Sequence, residues 1–354
     1  MAKTVTLQMI ADKVGVSKST VSDVLRARVA KVKVSENTRD RIFQAVKELN
    51  YVPNAAARAL VTGKTNNIGF LLSSKTNLGL ANNYFTSIMS GVQAASVSRG
   101  FNCIVNCYDL SSVKEFVMPS KVRRKVVDGI VISGPIEENV LQMFVDSGIP
   151  FILVGENADF SVEGVLAVAR NISEDWIRSF NYLYDLGHRK IAVGGIETEL
   201  GYFKFKEAIA KFKEDKPQAE VQFSTYNSPV SCGDVMEYAY KQGQKWCKQS
   251  DRPTAVIGHD QWCLAFVSSI LDAGYDCPED VSVISTCDTV LCKWFRPSIT
   301  SIVLPLYEGG KRATELLIDY INRDVNWMQA NRLADTIWEK HDLVVRDSTA
   351  EICK

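Results

Sequence analysis

The stretch LQMIADKVGVSKSTVSDVL, residues 7–25, decides the fold of the N-terminal part of the chain. Apolar residues recur at helical spacing as far as Val14, Gly15 interrupts the pattern, and a second helical pattern starts at Val16. The sequence therefore predicts a short helix, a tight turn and a second short helix. The apolar stripes are only wide enough to pack these helices on each other and on a third, which leaves the outer face of the second helix polar.

That outer face carries small hydroxyl groups and a lysine. Such side chains suit a helix that enters the major groove of DNA with its N-terminus first, because backbone N–H groups and Ser17 can hold phosphate while Lys18 and Ser19 reach base edges. Pairs of short helices also occur as ordinary core packing, so the spacing alone leaves both interpretations open. The predicted face consists of Ser17, Lys18, Ser19, Ser22 and Asp23.

The charge is distributed unevenly along the chain. The 354 residues carry no formal net charge, yet residues 1–64 contain twelve Lys and Arg against five Asp and Glu, a surplus of seven positive charges. The remaining residues therefore carry seven net negative charges. A basic head on an acidic body indicates that one end of the protein contacts phosphate.

Two segments, GVSKSTVSDVL (15–25) and VSENTRDRIFQAVKELNYVPNAAARAL (34–60), resemble the DNA-binding head and hinge of the lactose-repressor (LacI) family. The resemblance implies that Lys18, Ser19 and Asp23 select the operator sequence. Arginine is common in the family at the third of these positions. Asp23 therefore implies an unusual operator, since a carboxylate accepts a hydrogen bond from a cytosine amino group but repels phosphate.

An alanine-rich segment, NAAARALVTGKT (54–65), follows the third predicted helix. It is too short to be a stable helix alone in water, which is the behaviour expected of a hinge; a plain linker is the alternative. The resemblance implies that two copies fold side by side in the minor groove, with Leu60 wedged into a base step and Ala57 and Arg58 contacting the groove. The predicted DNA contacts also include Thr6, Thr20, Ser35, Thr38 and Asn54.

From Asn67 onward, short apolar runs such as IGFLLS (68–73) and FILVG (151–155) alternate with helical patterns. The runs read as strands buried on both faces, and the alternation predicts parallel sheets. The predicted fold is an all-α helix-turn-helix head plus an α/β core of two doubly wound parallel-sheet subdomains, which resembles the family's periplasmic-binding-protein-like core. The predicted domains are a head at 1–50, a hinge helix and linker at 51–65, a core N-terminal subdomain at 66–167 with 300–328, a core C-terminal subdomain at 168–299 with 329–346, and a tail at 347–354.

Ligands of open parallel sheets bind beyond the carboxyl ends of the strands. The resemblance implies that Asp260 hydrogen-bonds a small-molecule effector, although Asp260 also suits an N-cap role. The resemblance is incomplete here, because the family's arginine is absent near Leu200 and Cys287 replaces the first residue of an acidic pair. The predicted effector site consists of Ser74, Tyr84, Phe85, Ser133, Arg170, Tyr202, Trp262, Asp260 and Asp288, with the aromatic residues either stacking on a ligand ring or packing in the core.

The nine cysteines and three histidines show no zinc-type spacing, so we predict no metal site. We also predict no cofactor and no catalytic residue. An enzyme with Cys263 or Cys287 as nucleophile beside His259 is an alternative, but the sequence contains no nucleophile elbow or phosphate loop. Neither a signal peptide nor a run of eighteen apolar residues is present. The sequence therefore predicts a cytoplasmic protein without a membrane partner and disfavours a secreted solute-binding receptor.

Together these features predict a sequence-specific transcriptional regulator, a repressor that binds double-stranded operator DNA and is modulated by an effector of unknown identity. Two heads must match the two half-sites of a pseudo-palindrome, so we expect a homodimer. No heptad repeat ends the chain to make a tetramer. The alternative is a DNA-binding regulator whose cleft binds no sugar and answers to another ligand, to a protein partner or to nothing.

Overall fold

The computed structural model describes residues 5–25, 34–52, 63–74, 79–110, 126–155, 165–169, 172–196, 199–226, 234–326, 329–331 and 342–352, with single positions at 59, 76, 114 and 162. Contacts divide the chain into two compact units, Met1–Thr65 and Asn66–Lys354. Within the described ranges, no helix combines the length and apolar character needed to cross a membrane.

The head is a three-helix unit formed by α1 (Leu7–Val14), α2 (Lys18–Leu25) and α3 (Glu36–Glu48). α1 ends at Gly15, whose φ of 75° lies in the left-handed region that side-chain-bearing residues rarely adopt, and the chain therefore turns sharply into α2. All three helices bury apolar residues in one small core. The predicted helix-turn-helix head is confirmed. Its core consists of Ile10, Ala11, Val14, Val21, Val24, Ile42 and Ala45.

The second unit alternates strands and helices. In chain order it contains β1 (Asn67–Ser73), α4 (Asn83–Ser98), β2 (Asn102–Tyr108), β3 (Gly129–Ser133), α5 (Glu138–Ser147), β4 (Phe151–Gly155), β5 (Leu166–Ala169), α6 (Ile172–Asp185), β6 (Lys190–Gly194), α7 (Glu199–Asp215), β7 (Gln222–Tyr226), α8 (Val235–Lys248), β8 (Ala255–Gly258), α9 (Asp260–Asp272), β9 (Ser282–Ser285), α10 (Val290–Trp294), β10 (Thr300–Val303), α11 (Leu306–Asn322) and β11 (Asp342–Val344), with a 3₁₀ turn at Gly79–Ala81.

These strands form two sheets, ordered β2-β1-β3-β4-β5 and β11-β10-β9-β8-β6-β7. Among the described strands, all pairings are parallel except that of β11 with β10. Each sheet is covered on both faces: in β3, for example, Val131 packs in the α4 and α11 layer while Ile130 and Ile132 pack in the α5 layer. The predicted core of two doubly wound sheets is confirmed.

Two glycines allow α4 and α11 to cross closely. A Cβ on Gly310 would stand 2.2 Å from the Ile88 carbonyl oxygen, and a Cβ on Gly91 would stand 2.0 Å from the Tyr307 carbonyl oxygen. Both obstacles are backbone atoms of the facing helix, which cannot rotate away. Glycine at these two positions therefore sets how closely α11 lies on the first sheet.

The structure changes three details of the predicted domain limits. β10 pairs with β9 in the second sheet, so the chain returns to the first sheet only after 303, and not at 300 as expected. β5 stays in the first sheet as far as 169, two residues beyond the expected limit. The described part of the predicted tail, 347–352, is hydrogen-bonded to the second unit: Ser348 Oγ donates to the Val283 carbonyl at 2.6 Å, and the Ile352 N–H donates to the Leu186 carbonyl at 3.0 Å.

Candidate nucleic-acid interface and ligand cleft

The N-terminus of α2 is organised by the Ser17 hydroxyl. Its Oγ accepts the Thr20 backbone N–H at 3.1 Å and lies 2.7 Å from Ser19 Oγ and 2.8 Å from Thr20 Oγ1. Ser17 is therefore the N-cap of α2 as well as a predicted phosphate contact. The three linked hydroxyls keep the first turn of the helix in one conformation and leave its N-terminal end at the surface of the head.

The predicted reading face of α2 is present in the structure. Lys18 and Ser19 are exposed, while Ser22 and Asp23, one turn further along, are half-buried. Positions separated by three or four residues lie on the same side of a helix, so these side chains form one polar strip. The opposite side of α2 is buried through Val21 and Val24. We therefore define Lys18, Ser19, Ser22 and Asp23 as the reading strip.

Two other predicted DNA contacts, Thr6 and Ser35, cap helices, and a third, Thr38, is the residue that Ser35 caps. Thr6 Oγ1 accepts the Met9 N–H at 3.4 Å at the start of α1, and Ser35 Oγ accepts the Thr38 N–H at 3.3 Å at the start of α3. Ser35 Oγ also lies 2.9 Å from Thr38 Oγ1. Thr6 and Ser35 are exposed and Thr38 is half-buried. The predictions for Asn54, Ala57, Arg58 and Leu60 lie outside the described residues.

In the first sheet, the carboxyl ends of β3 and β4 bring two predicted cleft residues together. Gly155 has a φ of 124°, and a Cβ there would stand 3.2 Å from the Tyr84 hydroxyl and 3.6 Å from Ser133 Oγ. Ser133 Oγ donates to the Val154 carbonyl at 2.8 Å. The Phe85 ring lies edge-on to Tyr84 at 5.0 Å between centroids. Gly155 therefore leaves the space in which these polar groups meet.

The end of β1 and the start of α7 supply two further predicted positions. Ser74 is exposed, and its backbone N–H donates to the Tyr108 carbonyl at 2.7 Å. Tyr202 is 40% exposed, and Lys206 Nζ lies 4.5 Å from the centroid of its ring. Both side chains are thus available at the surface. The prediction for Arg170 falls on a residue outside the described part of the chain.

Asp260 begins α9 directly after β8 and is almost completely buried. The N-cap of α9 is His259, so the alternative prediction of an N-cap role for Asp260 is wrong by one residue. Thr289 Oγ1 donates to Asp260 Oδ2 at 2.8 Å, and His259 Nδ1 lies 3.7 Å from Asp260 Oδ1. Burial acts to raise the pKa of Asp260. A hydrogen bond and the charge of His259, together with the hydrogen bond from Thr289, outweigh burial and lower this pKa below its ordinary value. Asp260 is therefore a carboxylate at neutral pH.

The predicted ligand-stacking role of Trp262 requires correction. Trp262 is fully buried, stacked at 5.1 Å on Phe266 and at 6.2 Å on Tyr226. A Cβ on Gly194 would stand 2.2 Å from Trp262 Cζ2, so the ring fills the space above that glycine. Because the ring is fully buried by this chain's own atoms, it presents no surface on which a ligand can stack.

The predicted effector contact of Asp288 also requires correction. Arg346 binds both carboxylate oxygens, from NH1 at 2.7 Å and from NH2 at 2.8 Å. The same guanidinium donates to the Ile299 carbonyl at 2.6 Å and to Ser301 Oγ at 2.8 Å. A bidentate pair of this kind satisfies the carboxylate geometrically and electrostatically. Asp288 is therefore a structural residue.

Sequence reasoning missed the residues that hold these carboxylates. Thr289 and Arg346 act on Asp260 and Asp288 only because the fold brings them together. The adjacent glycines 194 and 195, which follow an apolar strand, were the one available signal that a large side chain approaches the backbone there. The described residues contain no group of three or more His, Cys, Asp or Glu arranged to hold a metal ion.

Comparisons with known proteins find relatives of both units of the chain. Residues 6–54 match the family model "Bacterial regulatory proteins, lacI family", and residues 180–349 match "Periplasmic binding protein-like domain". Catabolite control protein A of Priestia megaterium is 26% identical over 332 residues, covering 90% of this chain and 93% of its own length. The HTH-type transcriptional repressor PurR of Vibrio vulnificus is 29% identical over 360 residues, covering 98% and 99%.

Solved structures show the same fold. The lac repressor dimer bound to operator and the anti-inducer ONPF matches with a TM-score of 0.80 at 22% identity, covering 98% of this chain and 100% of that one. The complex of the transcriptional regulator CelR with cellobiose matches with a TM-score of 0.64 at 23% identity, covering 97% and 99%. The predicted family resemblance is confirmed.

Proposed function

Since the chain belongs to the lacI family of bacterial regulatory proteins and is a DNA-binding transcriptional regulator, we propose that it represses transcription from a pseudo-palindromic operator. Two protomers place their α2 helices in successive major grooves, and a small molecule in the core cleft modulates affinity. The reading strip on the exposed side of α2 supports this function most directly, because Lys18 and Ser19 are exposed where a base edge would approach, while Ser17 fixes the start of the helix.

We assign the parts of the chain accordingly. Residues 1–50 are the reading head and 51–65 the hinge that connects it to the sensor. The sensor consists of two bodies, one built on each sheet, with the limits given by the strand pairings. A ligand that binds two relative poses of these bodies with different affinity changes the free energy of DNA binding by at most the difference between its own two binding free energies. We place the protein in the cytoplasm, where operator DNA is accessible.

We propose no catalytic activity for this protein. The cysteines of the enzyme alternative are poorly suited to nucleophilic attack. Cys263 is fully buried, and burial raises the pKa of its thiol well above the ordinary value. Cys287 is also buried, with 3% of its surface exposed. A thiol that stays protonated and shielded from solvent is a weak nucleophile.

A second possibility for the cleft is favoured by one observation. Arg346 donates hydrogen bonds to both carboxylate oxygens of Asp288, and the neighbouring residue is Cys287. The carboxylate that follows β9 is therefore already bound by Arg346 and is not available to a ligand. A sugar hydroxyl pair is bound best by such an acceptor. This favours a regulator whose effector is another small molecule or a protein partner rather than a sugar.

Selection of bound duplexes from a random DNA library tests the function. The full-length protein should enrich one pseudo-palindromic site, and Lys18→Ala should change the preferred base at one or two positions of each half-site. Lys13→Ala is the matched control. Lys13 lies on α1, outside the reading strip, and its Nζ is 2.6 Å from Glu48 Oε2. Enrichment of no common site by the wild-type protein would contradict the proposal.

A further inference from the structure

The reading strip carries one acidic side chain, Asp23, in a head that is otherwise strongly basic. Two other acidic residues of the head are held by neighbours. Gln8 Nε2 donates to Asp12 Oδ1 at 2.7 Å, and Glu48 Oε2 lies 2.6 Å from a lysine Nζ. Across the described part of the head, no hydrogen bond or ion pair reaches the Asp23 carboxylate. Its oxygens are therefore available to a group outside the protein.

The position of Asp23 is unfavourable for the free head. The side chain is half-buried in the last turn of α2, and that turn contains no basic residue. Because the C-terminal end of a helix carries partial negative charge, a carboxylate there destabilises the helix. The phosphates of DNA repel a carboxylate as well. Asp23 therefore weakens both the free helix and binding to DNA in general, unless the complex supplies a hydrogen-bond donor to it.

The reading strip consists of two rows of side chains, each with its two members four residues apart. Lys18 and Ser22 form one row. Ser19 and Asp23 form the other. Four residues span about 6 Å along a helix axis, against about 3.4 Å between successive base pairs. A helix that enters a major groove with its N-terminus first therefore presents Lys18 and Asp23 to different base pairs.

The chemistry of the carboxylate discriminates among the four bases, because an ionised carboxylate accepts hydrogen bonds and donates none. In the major groove, cytosine presents only its N4 amino group, and adenine presents its N6 amino group beside the N7 acceptor. Guanine and thymine present acceptors there. The order of preference for Asp23 is therefore cytosine and then adenine, with guanine and thymine repelled.

We propose that Asp23 restricts the operator to half-sites with a cytosine at one position, because it lowers the affinity for every duplex that offers no amino group there. Specificity is a difference between affinities, so a side chain that weakens binding to other sequences raises specificity as one that strengthens binding to the operator does. This role of Asp23 rests on the proposed function and adds to it the base that is selected.

Selection from a random duplex library with the full-length wild type and Asp23→Asn tests this role. The wild type should enrich cytosine at one position of each half-site. Asp23→Asn should enrich adenine there, because an asparagine amide pairs with adenine N6 and N7. The change should fall at a position that Lys18→Ala leaves intact. Asp40→Asn is the matched control: Asp40 is exposed on α3, outside the reading strip, and likewise has no partner among the described residues, so its variant should keep the wild-type bases.

Fluorescence anisotropy with the selected operator provides an independent arm. Changing that C·G pair to T·A should weaken wild-type binding by at least about 10-fold, and binding of Asp23→Ala by less than about 3-fold. At low salt, Asp23→Ala should also bind a scrambled duplex about 3-fold more tightly than the wild type, because a charge that repels phosphate is removed. Thermal unfolding verifies that the variants are folded.

The possible failures are distinguishable. If the wild type selects a site whose bases Asp23→Asn leaves unchanged, the role of Asp23 is wrong and the proposed function stands. Equal losses for the wild type and Asp23→Ala on the T·A operator, or a scrambled duplex that Asp23→Ala binds no more tightly, have the same meaning. A wild type that enriches no common site contradicts the proposed function itself, and the role of Asp23 with it.

Discussion

Removing the Arg346 guanidinium should destabilise the core substantially. Arg346→Met deletes four hydrogen bonds, two of them to Asp288, and leaves that carboxylate in a site where only 18% of its side chain is exposed. Breaking a fully buried ion pair costs about 3–5 kcal/mol. Since water still reaches part of both side chains, we expect the free energy of unfolding to fall by about 2–3 kcal/mol.

Urea denaturation followed by tryptophan fluorescence measures this loss, and a double-mutant cycle with Asp288→Ala tests its origin. Because the two side chains act as a pair, the double variant should be hardly less stable than either single variant, giving a coupling free energy of about 2 kcal/mol. Arg312→Met is the control: Arg312 pairs with Glu315 at 2.8 Å but is 63% exposed, so the loss should stay below about 1 kcal/mol. Additive losses, or an Arg346→Met variant as stable as wild type, would refute a structural role for Asp288.

Four further predictions concern other parts of the molecule. Ser17→Ala should destabilise the head by about 1 kcal/mol, whereas Ser17→Asp should keep the cap but repel phosphate, so that melting is restored and duplex affinity is not. Lys18→Ala should change discrimination at one or two base pairs by about 1–3 kcal/mol, measured by competition among variant duplexes. Gly310→Ala should destabilise the core by about 1–3 kcal/mol, because its methyl meets the Ile88 carbonyl; unchanged urea midpoints would contradict this. Burial lowers the pKa of His188 from 6.5, so the unfolded chain binds a proton there that the folded chain does not, and stability should decrease as pH falls below about 6.5 by up to about 1.4 kcal/mol per pH unit. His188→Gln should remove this part of the slope, and an identical slope in the variant would assign it to other groups.

The head could be predicted from sequence because its signals are local. Helical spacing, the break at Gly15 and the polar outer face of α2 all lie within nineteen residues, and the structure contains each of them. Most strands of the core could also be predicted, because they are continuous apolar runs. The edge strand β7 (Gln222–Tyr226) could not be predicted in this way, because only alternate side chains pack against the protein and its sequence has no continuous apolar run.

The cleft was less predictable because its chemistry depends on distant pairings. The sequence predicts that Asp288 binds a ligand, but in the structure Arg346, fifty-eight positions later, donates to both of its carboxylate oxygens. The sequence predicts that Trp262 stacks on a ligand ring, but the fold places its ring over Gly194 and packs it against Phe266 and Tyr226. A single sequence shows which residues follow each strand. It does not show which of those side chains already bind other side chains of the same chain.

The central claim is that the N-terminal end of α2 reads a specific duplex, and competition binding tests it most directly. Fluorescence anisotropy of the full-length protein with its selected operator, against a scrambled duplex of equal length, should show at least about 10³-fold tighter binding to the operator. Affinity for both should weaken as salt rises, because phosphate contacts release counterions. Equal affinity for the two duplexes at every salt concentration would contradict the account.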